Sequence, residues 1–380
     1  MKDIRMVDLK GQYEKIKSEI DAAVISVMES SAFVNGPDVH ALQKEMEEYL
    51  GVKHVIPCAN GTDALQISLM AMGLERGDEV ITSDFTFAAT VEVIALLGLK
   101  QVLVDVDPDT MVMDTEALRR AITPRTRAII PVHLFGQCAP MEEVMQIARE
   151  HNLLVLEDTA QAIGAEYTFS DGTVKKAGTI GNMGATSFFP SKNLGCYGDG
   201  GAIFTNDDAL AHRARGIVNH GMYRRYYHDE IGVNSRLDSI QAAILRIKLR
   251  HLDEYTAARQ EAAAMYDAAF AGVEGVKVPA RAERTTHVFH QYTLRLAENI
   301  DRDALIAFLN GKGIPAMIYY PVPLRHQKAY DTHDYDDSQY PATDMLVRTV
   351  MSLPMHTELD QEQVDYIAAA VKEGIVSCVK

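Results

Sequence analysis

The chain has 380 residues, 47% hydrophobic and 24% charged, which is enough apolar material for two domains or one large domain with a smaller appendix. Its formal net charge of −16 argues against a nucleic-acid-binding protein, because phosphate backbones need basic surfaces. The four cysteines match no zinc or disulfide framework, the N-terminus lacks the apolar core of a signal peptide, and no apolar run reaches about 20 residues. We therefore expect a cytoplasmic protein that binds neither nucleic acid nor membrane.

The first 50 residues are predicted to form two helices. Apolar residues recur at helical spacing up to about residue 30, and the turn sequence Asn35-Gly36-Pro37 follows. A second helix is predicted over residues 39–50, with Gly51 as its C-cap.

Between residues 52 and 205, short apolar runs alternate with helical stretches. Helices are predicted to begin near residues 60, 87 and 140. The predicted strands cover residues 54–58, 79–82, 101–105, 128–132, 153–156, 185–189 and 201–205. Strands that are apolar throughout and separated by helices are typical of a parallel sheet buried on both faces. The predicted fold class is α/β, with a mostly parallel central sheet sandwiched by helices.

The pattern changes after residue 209. A polar loop rich in Tyr and Arg covers residues 221–234, and one long helix is predicted over residues 237–270. The remaining predicted elements are a strand near residues 291–294, a helix from Arg302 and a strand over residues 316–320.

These elements suit a small α+β domain at the C-terminus. We predict that residues 1–250 form the N-terminal helices and the large domain, and that residues 251–380 form the smaller one.

Polar residues follow several of the predicted strands, at the edge where open α/β sheets bind ligands. Asn60-Gly61-Thr62-Asp63 opens a helix, and backbone N–H groups and a hydroxyl at a helix N-terminus suit a phosphate. The simpler alternative is an N-cap that only satisfies its own helix.

Two acids, Glu157 and Asp158, follow a buried strand, and Gln161 lies three residues beyond. A carboxylate at such a position needs a partner, and the protonated nitrogen of a pyridine ring would serve. A metal site or a helix N-cap are the alternatives. Thr86-Phe87 follows another strand, where an aromatic ring is able to cover a planar cofactor.

Lys192 lies on a tight turn between a Ser-Phe-Phe fragment and a run of glycines, five residues after Ser187. A flexible amine whose pKa shifts readily suits a Schiff base with an aldehyde, and Ser187 would donate to a phosphate of the same molecule. A solvated surface lysine is the alternative. A phosphate site, an aromatic cover, a carboxylate for a ring nitrogen and a lysine together indicate pyridoxal 5'-phosphate. No G-x-G-x-x-G follows the first strand, which disfavours a dinucleotide-binding dehydrogenase.

Several longer motifs resemble the DegT/DnrJ-type nucleotide-sugar aminotransferases of the fold-type-I pyridoxal-phosphate superfamily. The resemblance extends from residue 8 to residue 354. Its most specific pieces are A-N-G-T-D-A-L at 59–65, E-D-T-A-Q-A at 157–162, S-F-F-P-S-K at 187–192, G-D-G-G-A at 198–202 and G-V-N-S-R-L-D at 232–238.

This resemblance implies a role for each matching position. Lys192 would form the Schiff base and move protons, Asp158 would pair with the pyridine nitrogen, and Gln161 would lie near the phenolic oxygen. The remaining implied residues are Phe87 on the ring face, Gly61, Thr62 and Ser187 at the phosphate, Asn234 reaching the phosphate from a neighbouring subunit, and Arg236, Tyr319 and Tyr320 in the substrate pocket. No metal site is implied. The shared site implies a homodimer.

The local sequence is similar to the branch that aminates the 3-keto group of UDP-2-acetamido-2-deoxy-3-oxo-glucuronate with L-glutamate as donor, for bacterial surface polysaccharides. A C4-specific aminotransferase, a sugar dehydratase and a regulatory relative are the alternatives, although dehydratases replace the lysine that this chain retains. Arg325-His326 departs from the single His or Asn of relatives. Arg325 is expected either to face a carboxylate or diphosphate of the ligand or to be a solvated loop residue.

Overall fold

The computed structural model describes residues 3–380, in which twelve helices and fourteen strands are found. The helices are α1 (Leu9–Ser30), α2 (Pro37–Leu50), α3 (Gly61–Met72), α4 (Ala89–Leu96), α5 (Thr115–Ala121), α6 (Met141–His151), α7 (Asp208–Ile217), α8 (Ser239–Arg250), α9 (Leu252–Phe270), α10 (Arg302–Gly311), α11 (Pro341–Thr349) and α12 (Gln361–Ser377). The strands are β1 (His54–Cys58), β2 (Glu79–Ser83), β3 (Lys100–Val104), β4 (Thr126–Ile130), β5 (Leu154–Asp158), β6 (Glu166–Thr168), β7 (Val174–Lys176), β8 (Met183–Ser187), β9 (Gly201–Thr205), β10 (Met222–Arg224), β11 (Tyr227–His228), β12 (Val276–Lys277), β13 (Tyr292–Leu296) and β14 (Val350–Leu353).

Seven strands form the central sheet, in the order β1-β9-β8-β5-β4-β2-β3. The strands from β8 to β3 pair in parallel, whereas β9 is antiparallel to both β8 and β1. The prediction of a mostly parallel α/β sheet is therefore confirmed. Every residue of β2 and β9 is buried, as expected for strands that are covered on both faces.

Successive residues of the central strands pack into two different cores. Val80, Ile130 and Leu156 belong to one apolar cluster, while their neighbours Ile81, Ile129 and Val155 belong to another. Because side chains alternate along a strand, these clusters occupy opposite faces of the sheet.

A third cluster lies in the C-terminal part of the chain. It joins α9, α10 and α12 to the antiparallel sheet β12-β13-β14, through side chains such as Tyr266, Leu294, Leu353 and Val371. The division at residue 250 stays a prediction.

Three predictions about individual elements are wrong. The single helix over 237–270 is two helices, because the backbone of His251 (φ −101°, ψ 1°) leaves the helical region between α8 and α9. Residues 316–320 form only one isolated bridge, Met317 with Ser352, and not a strand. The loop over 221–234 contains the hairpin of β10 and β11.

Arg325 is buried, so the expectation of a solvated loop residue is wrong. Its guanidinium forms ion pairs with Asp84, Asp337 and Asp344 and lies 4.5 Å from the ring centroid of Tyr340. Its charge is therefore matched within the protein, and the alternative role at a ligand is not supported either. The cluster joins the segment after residue 321 to the carboxyl end of β2, since Asp84 directly follows that strand.

Within residues 3–380, no helix is both long enough and apolar enough to cross a membrane.

Candidate active site

A cleft of about 510 Å³ opens at the carboxyl ends of the parallel strands. Asp158 ends β5 and Ser187 ends β8, and the N-terminus of α3 faces them. The cleft brings together all the predicted site residues except Asn234 and Arg236, namely Gly61, Thr62, Phe87, Asp158, Gln161, Ser187, Lys192, Tyr319 and Tyr320.

The predicted phosphate corner is built by close packing of three backbone segments. The Asn60 side chain caps α3 by accepting from the amide of Asp63 at 2.8 Å. A Cβ atom on Gly61 would lie 2.6 Å from Cβ of Ser187, and one on Gly201 would lie 2.4 Å from the Asn60 carbonyl. Only glycine fits at these two positions. The first turn of α3, which is the positive end of that helix, therefore lies directly beside the Ser187 hydroxyl.

The two adjacent acids have separate tasks because they point to opposite faces of β5. The Glu157 carboxylate is fully buried and accepts from the amides of Gly178, Ile180 and Gly181 and from the His133 ring. The His133 Nδ1 atom accepts from the Ala139 amide at 3.0 Å, so its Nε2 carries the proton that is donated to Glu157. Glu157 thus belongs to the interior of the fold.

Asp158 is the acid that faces the cleft. Its Oδ2 atom accepts from the Thr90 hydroxyl at 2.8 Å, and its Oδ1 atom accepts from the Ala160 amide at 3.1 Å. Its own backbone is bonded to Pro131 and His133 beyond the end of β4. Both oxygens and the main chain of Asp158 are therefore held before any ligand arrives.

Lys192 lines the same cleft and is half-buried. Burial lowers the pKa of Lys192 to about 8, although the negative charge of Asp158 acts in the opposite direction. Near pH 7.4 about a fifth of this amine is therefore neutral and nucleophilic, against about a thousandth for an ordinary lysine.

The loop that carries Lys192 is anchored to α8. The buried Lys248 donates from Nζ to the Gly195 carbonyl, and burial lowers the pKa of Lys248 to about 8. Gln241 accepts from the Tyr197 amide at 2.8 Å and donates to the Tyr197 carbonyl at 3.2 Å. These contacts fix the loop on the side away from the cleft.

An aromatic and amide wall completes the cleft. Gln161 accepts from the Phe135 amide at 2.8 Å and donates to the Tyr320 hydroxyl at 3.1 Å. Burial raises the pKa of Tyr320, so its hydroxyl stays protonated. The Phe87 ring is 55% exposed and lies 6.1 Å from the Tyr320 ring, centroid to centroid, at the mouth of the cleft.

Sequence reasoning missed several residues of this site. Thr90 lies in the first turn of α4, where an N-terminal threonine is common and carries no signal of function. His290 and Thr86 line the cleft, and His290 Nδ1 and Thr86 Oγ1 are buried atoms without a hydrogen-bond partner among residues 3–380. Thr86 stands beside the predicted ring cover Phe87 but has no predicted role of its own, and nothing local in the sequence distinguishes Thr90 or His290 from core residues.

Asn234 and Arg236 lie outside the cleft of their own chain. Asn234 forms an isolated bridge with Asn219, and the Arg236 guanidinium donates to the Asn219 side chain at 3.3 Å. Their predicted roles stay predictions.

The residues of the cleft fit pyridoxal phosphate. The cofactor needs an amine for its aldehyde, an anion for its ring nitrogen and a donor set for its phosphate. Lys192 and Asp158 would supply the first two, and the corner beside Gly61 and Ser187, at the positive end of α3, would hold the phosphate. Fold and site together define a pyridoxal-phosphate-dependent enzyme of fold type I.

Comparison with known proteins agrees with this class. Residues 14–372 match the model of the DegT/DnrJ/EryC1/StrS aminotransferase family. The chain is 46% identical over 368 residues to the UDP-2-acetamido-2-deoxy-3-oxo-D-glucuronate aminotransferase of Pseudomonas aeruginosa, covering 97% of this chain and 99% of that protein. It is also 46% identical over 373 residues to the pleiotropic regulatory protein of Geobacillus stearothermophilus, covering 98% of each.

The crystal structure of DesV from S. venezuelae, in complex with a ketimine intermediate, superposes with a TM-score of 0.93 at 38% identity and covers 98% of each chain. The chain belongs to the DegT/DnrJ/EryC1/StrS aminotransferase family. It is a pyridoxal-phosphate-dependent sugar aminotransferase.

We predict different effects for substitutions of Glu157 and Asp158, the first on stability and the second on cofactor binding. Glu157→Gln should lower the free energy of unfolding by about 3 kcal/mol, because the new amide nitrogen would face buried donors. Asp158→Asn should keep most of the stability, because its side chain opens on the cleft, and should weaken pyridoxal-phosphate binding at least about tenfold. Thermal melting of the cofactor-free protein and cofactor titration measure the two effects.

Glu298→Gln is the matched control, since Glu298 is an exposed acid paired with Arg348 and should leave both measurements unchanged. A Glu157→Gln protein of normal stability, or an Asp158→Asn protein of normal cofactor affinity, would contradict the separation of roles.

The lowered pKa of Lys192 predicts a distinctive pH profile. Only a neutral amine attacks an aldehyde, so the rate at which cofactor-free protein captures pyridoxal phosphate should rise up to about pH 8 and then level off. An ordinary lysine amine would keep reacting faster up to about pH 10.4. Capture is measured by borohydride trapping and peptide mass spectrometry, and Nα-acetyl-lysine in the same buffers removes the cofactor's own titration from the comparison. A protein profile that rises in parallel with this reference amine would refute the assignment.

Proposed function

We propose that this protein transfers the amino group of L-glutamate to the 3-keto group of UDP-2-acetamido-2-deoxy-3-oxo-glucuronate. It would act in the cytoplasm, as a homodimer, in the biosynthesis of a bacterial surface polysaccharide. The observation that carries the substrate assignment is the end-to-end 46% identity with the P. aeruginosa enzyme of that name.

Bound pyridoxal phosphate supplies an electron sink for the carbanion that forms when an amino acid or amino sugar loses a proton. In this chain the group that moves the proton is the Lys192 Nζ atom. With a pKa of about 8 this amine exists in both protonation states near neutral pH, so it is able to accept a proton in one half-reaction and return it in the other.

The other residues of the cleft would hold the cofactor in place and exclude water from it. Asp158 would keep a proton on the ring nitrogen, with its carboxylate already held by Thr90 and Ala160. The first turn of α3 and the Ser187 hydroxyl would bind the phosphate. Gln161 would lie near the phenolic oxygen, and Phe87 would cover the ring and exclude water from its face.

Substrate recognition is assigned to one wall of the cleft and to a second subunit. Tyr319 and Tyr320 line the cleft beside the proposed cofactor position and would contact the sugar. Arg236 lies outside the cleft of its own chain, bonded to Asn219, and would contact the uronate carboxylate from the partner subunit. A locally positive pocket is able to attract an anion even on an acidic protein.

A regulatory role is the second candidate, because the G. stearothermophilus relative of equal identity is called a pleiotropic regulatory protein. Spectroscopy separates the two. The cofactor-loaded enzyme should lose its visible absorbance with L-glutamate and regain it only with the correct keto-sugar nucleotide.

The acceptor is identified by a panel of 3-keto and 4-keto sugar nucleotides, offered after glutamate has been removed. Recovery with the 3-keto glucuronate supports the proposal. Recovery only with a 4-keto sugar would assign the enzyme to C4 amination, and release of water without glutamate consumption would indicate a dehydratase. No response to glutamate would favour the regulatory role.

If each site is built from both subunits, two inactive variants should complement each other in a mixed dimer. Neither Lys192→Ala nor Asn234→Ala homodimers should hold a complete site. A mixed dimer should contain one complete site, with Lys192 from one subunit and Asn234 from the other, and should recover up to about half of the wild-type activity per dimer. Activity is measured at limiting cofactor after the two variants have been unfolded and refolded together, with refolded homodimers as controls. Failure of the mixture to exceed both homodimers would place Asn234 in the site of its own chain or outside any site.

A further inference from the structure

Thr90 is a buried side chain whose hydroxyl, among residues 3–380, is bonded to a residue of the candidate active site. It is fully buried and donates from Oγ1 to the Asp158 Oδ2 atom at 2.8 Å. A threonine in the first turn of a helix ordinarily bonds to its own backbone or to solvent. The Thr90 hydroxyl instead donates to a carboxylate 68 residues away in the chain.

The bond has a defined geometric consequence. The Ala160 amide holds Oδ1 of Asp158 while Thr90 holds Oδ2, so the two donors together prevent the carboxylate from rotating. A carboxylate oxygen carries two lone pairs, and each oxygen keeps one free for a further donor. The orientation in which the Asp158 carboxylate would accept a hydrogen bond from a protonated ring nitrogen is therefore fixed before the cofactor binds.

The same bond connects two walls of the cleft. Phe87 lies three residues before Thr90, immediately ahead of α4, and its half-exposed ring contacts Tyr320 rather than a packed core. The first turn of α4 is thus joined to the end of β5 by the Thr90–Asp158 bond. Movement of this turn would displace Phe87 and Asp158 together.

We propose that Thr90 is a positioning residue for the cofactor, which acts through Asp158 and through the placement of Phe87. Thr90 itself is not among the residues that line the cleft. This inference rests on the proposed cofactor site but not on the identity of the sugar, so the tests below use cofactor binding alone.

The informative substitution is Thr90→Val, which keeps the shape and removes the donor. The dissociation constant for pyridoxal phosphate should rise by about tenfold or more, the usual effect of losing a hydrogen bond to a charged group. The visible circular dichroism of the bound cofactor, which reports how the ring is held, should decrease at saturating cofactor. Thr90→Ser keeps the hydroxyl and should restore both measurements to near wild-type values.

Thr349→Val is the matched control. Thr349 is equally buried, and its hydroxyl donates at 2.8 Å to the carbonyl of Met345, within α11 and away from the cleft. The cofactor affinity and visible circular dichroism of the Thr349→Val protein should match those of the wild type.

The proposal is overturned if Thr90→Val binds cofactor with wild-type affinity and dichroism, or if Thr90→Ser fails as badly as Thr90→Val. It is also overturned if Thr349→Val loses cofactor to the same extent, since the effect would then be general destabilisation. Should Thr90→Val not fold, Thr90→Ala, which fits within the same space, takes its place in the same measurements. Absence of pyridoxal-phosphate binding by the wild-type protein would instead refute the cofactor site itself.

Discussion

The arrangement of the active site depends on placing the half-buried Lys192 in one cleft with the carboxylate of Asp158. Loss of hydration disfavours the ammonium form and lowers the pKa of Lys192 to about 8, while the negative charge of Asp158 acts in the opposite direction. That balance needs a lysine on a rigid loop and a carboxylate at the end of a neighbouring strand. The glycines at 61 and 201, the α8 contacts to the loop and the parallel order of β5 and β8 all serve to hold these two groups in one cleft.

The division of work between Glu157 and Asp158 follows from the alternation of a β-strand. One residue points to the protein interior and has all its acceptors satisfied by amides and His133, while the next points to the cleft with accepting capacity to spare. The two carboxylates are adjacent in sequence, yet one stabilises the fold and the other is free to act on a ligand.

Buried charges in this protein serve structure as often as chemistry. Arg325 is surrounded by three aspartates and anchors a long segment, and Lys248 donates to the loop of Lys192. Both residues have their polar groups matched within the protein. The presence of a buried cation therefore does not identify a catalytic residue, and the difference lies in whether its polar group faces a partner or an open cleft.

The α/β class, most strand positions and the meeting of Lys192, Asp158, Gly61 and Ser187 in one cleft were predictable from the sequence. Their signals are local, since a buried strand, a helix start or a glycine turn is encoded in a few consecutive residues. The sequence alone did not reveal the break at His251, the burial of Arg325 or the bond from Thr90 to Asp158. These features depend on residues that are tens to hundreds of positions apart, and only the packing of the sheet against its helices brings such residues together or keeps them apart.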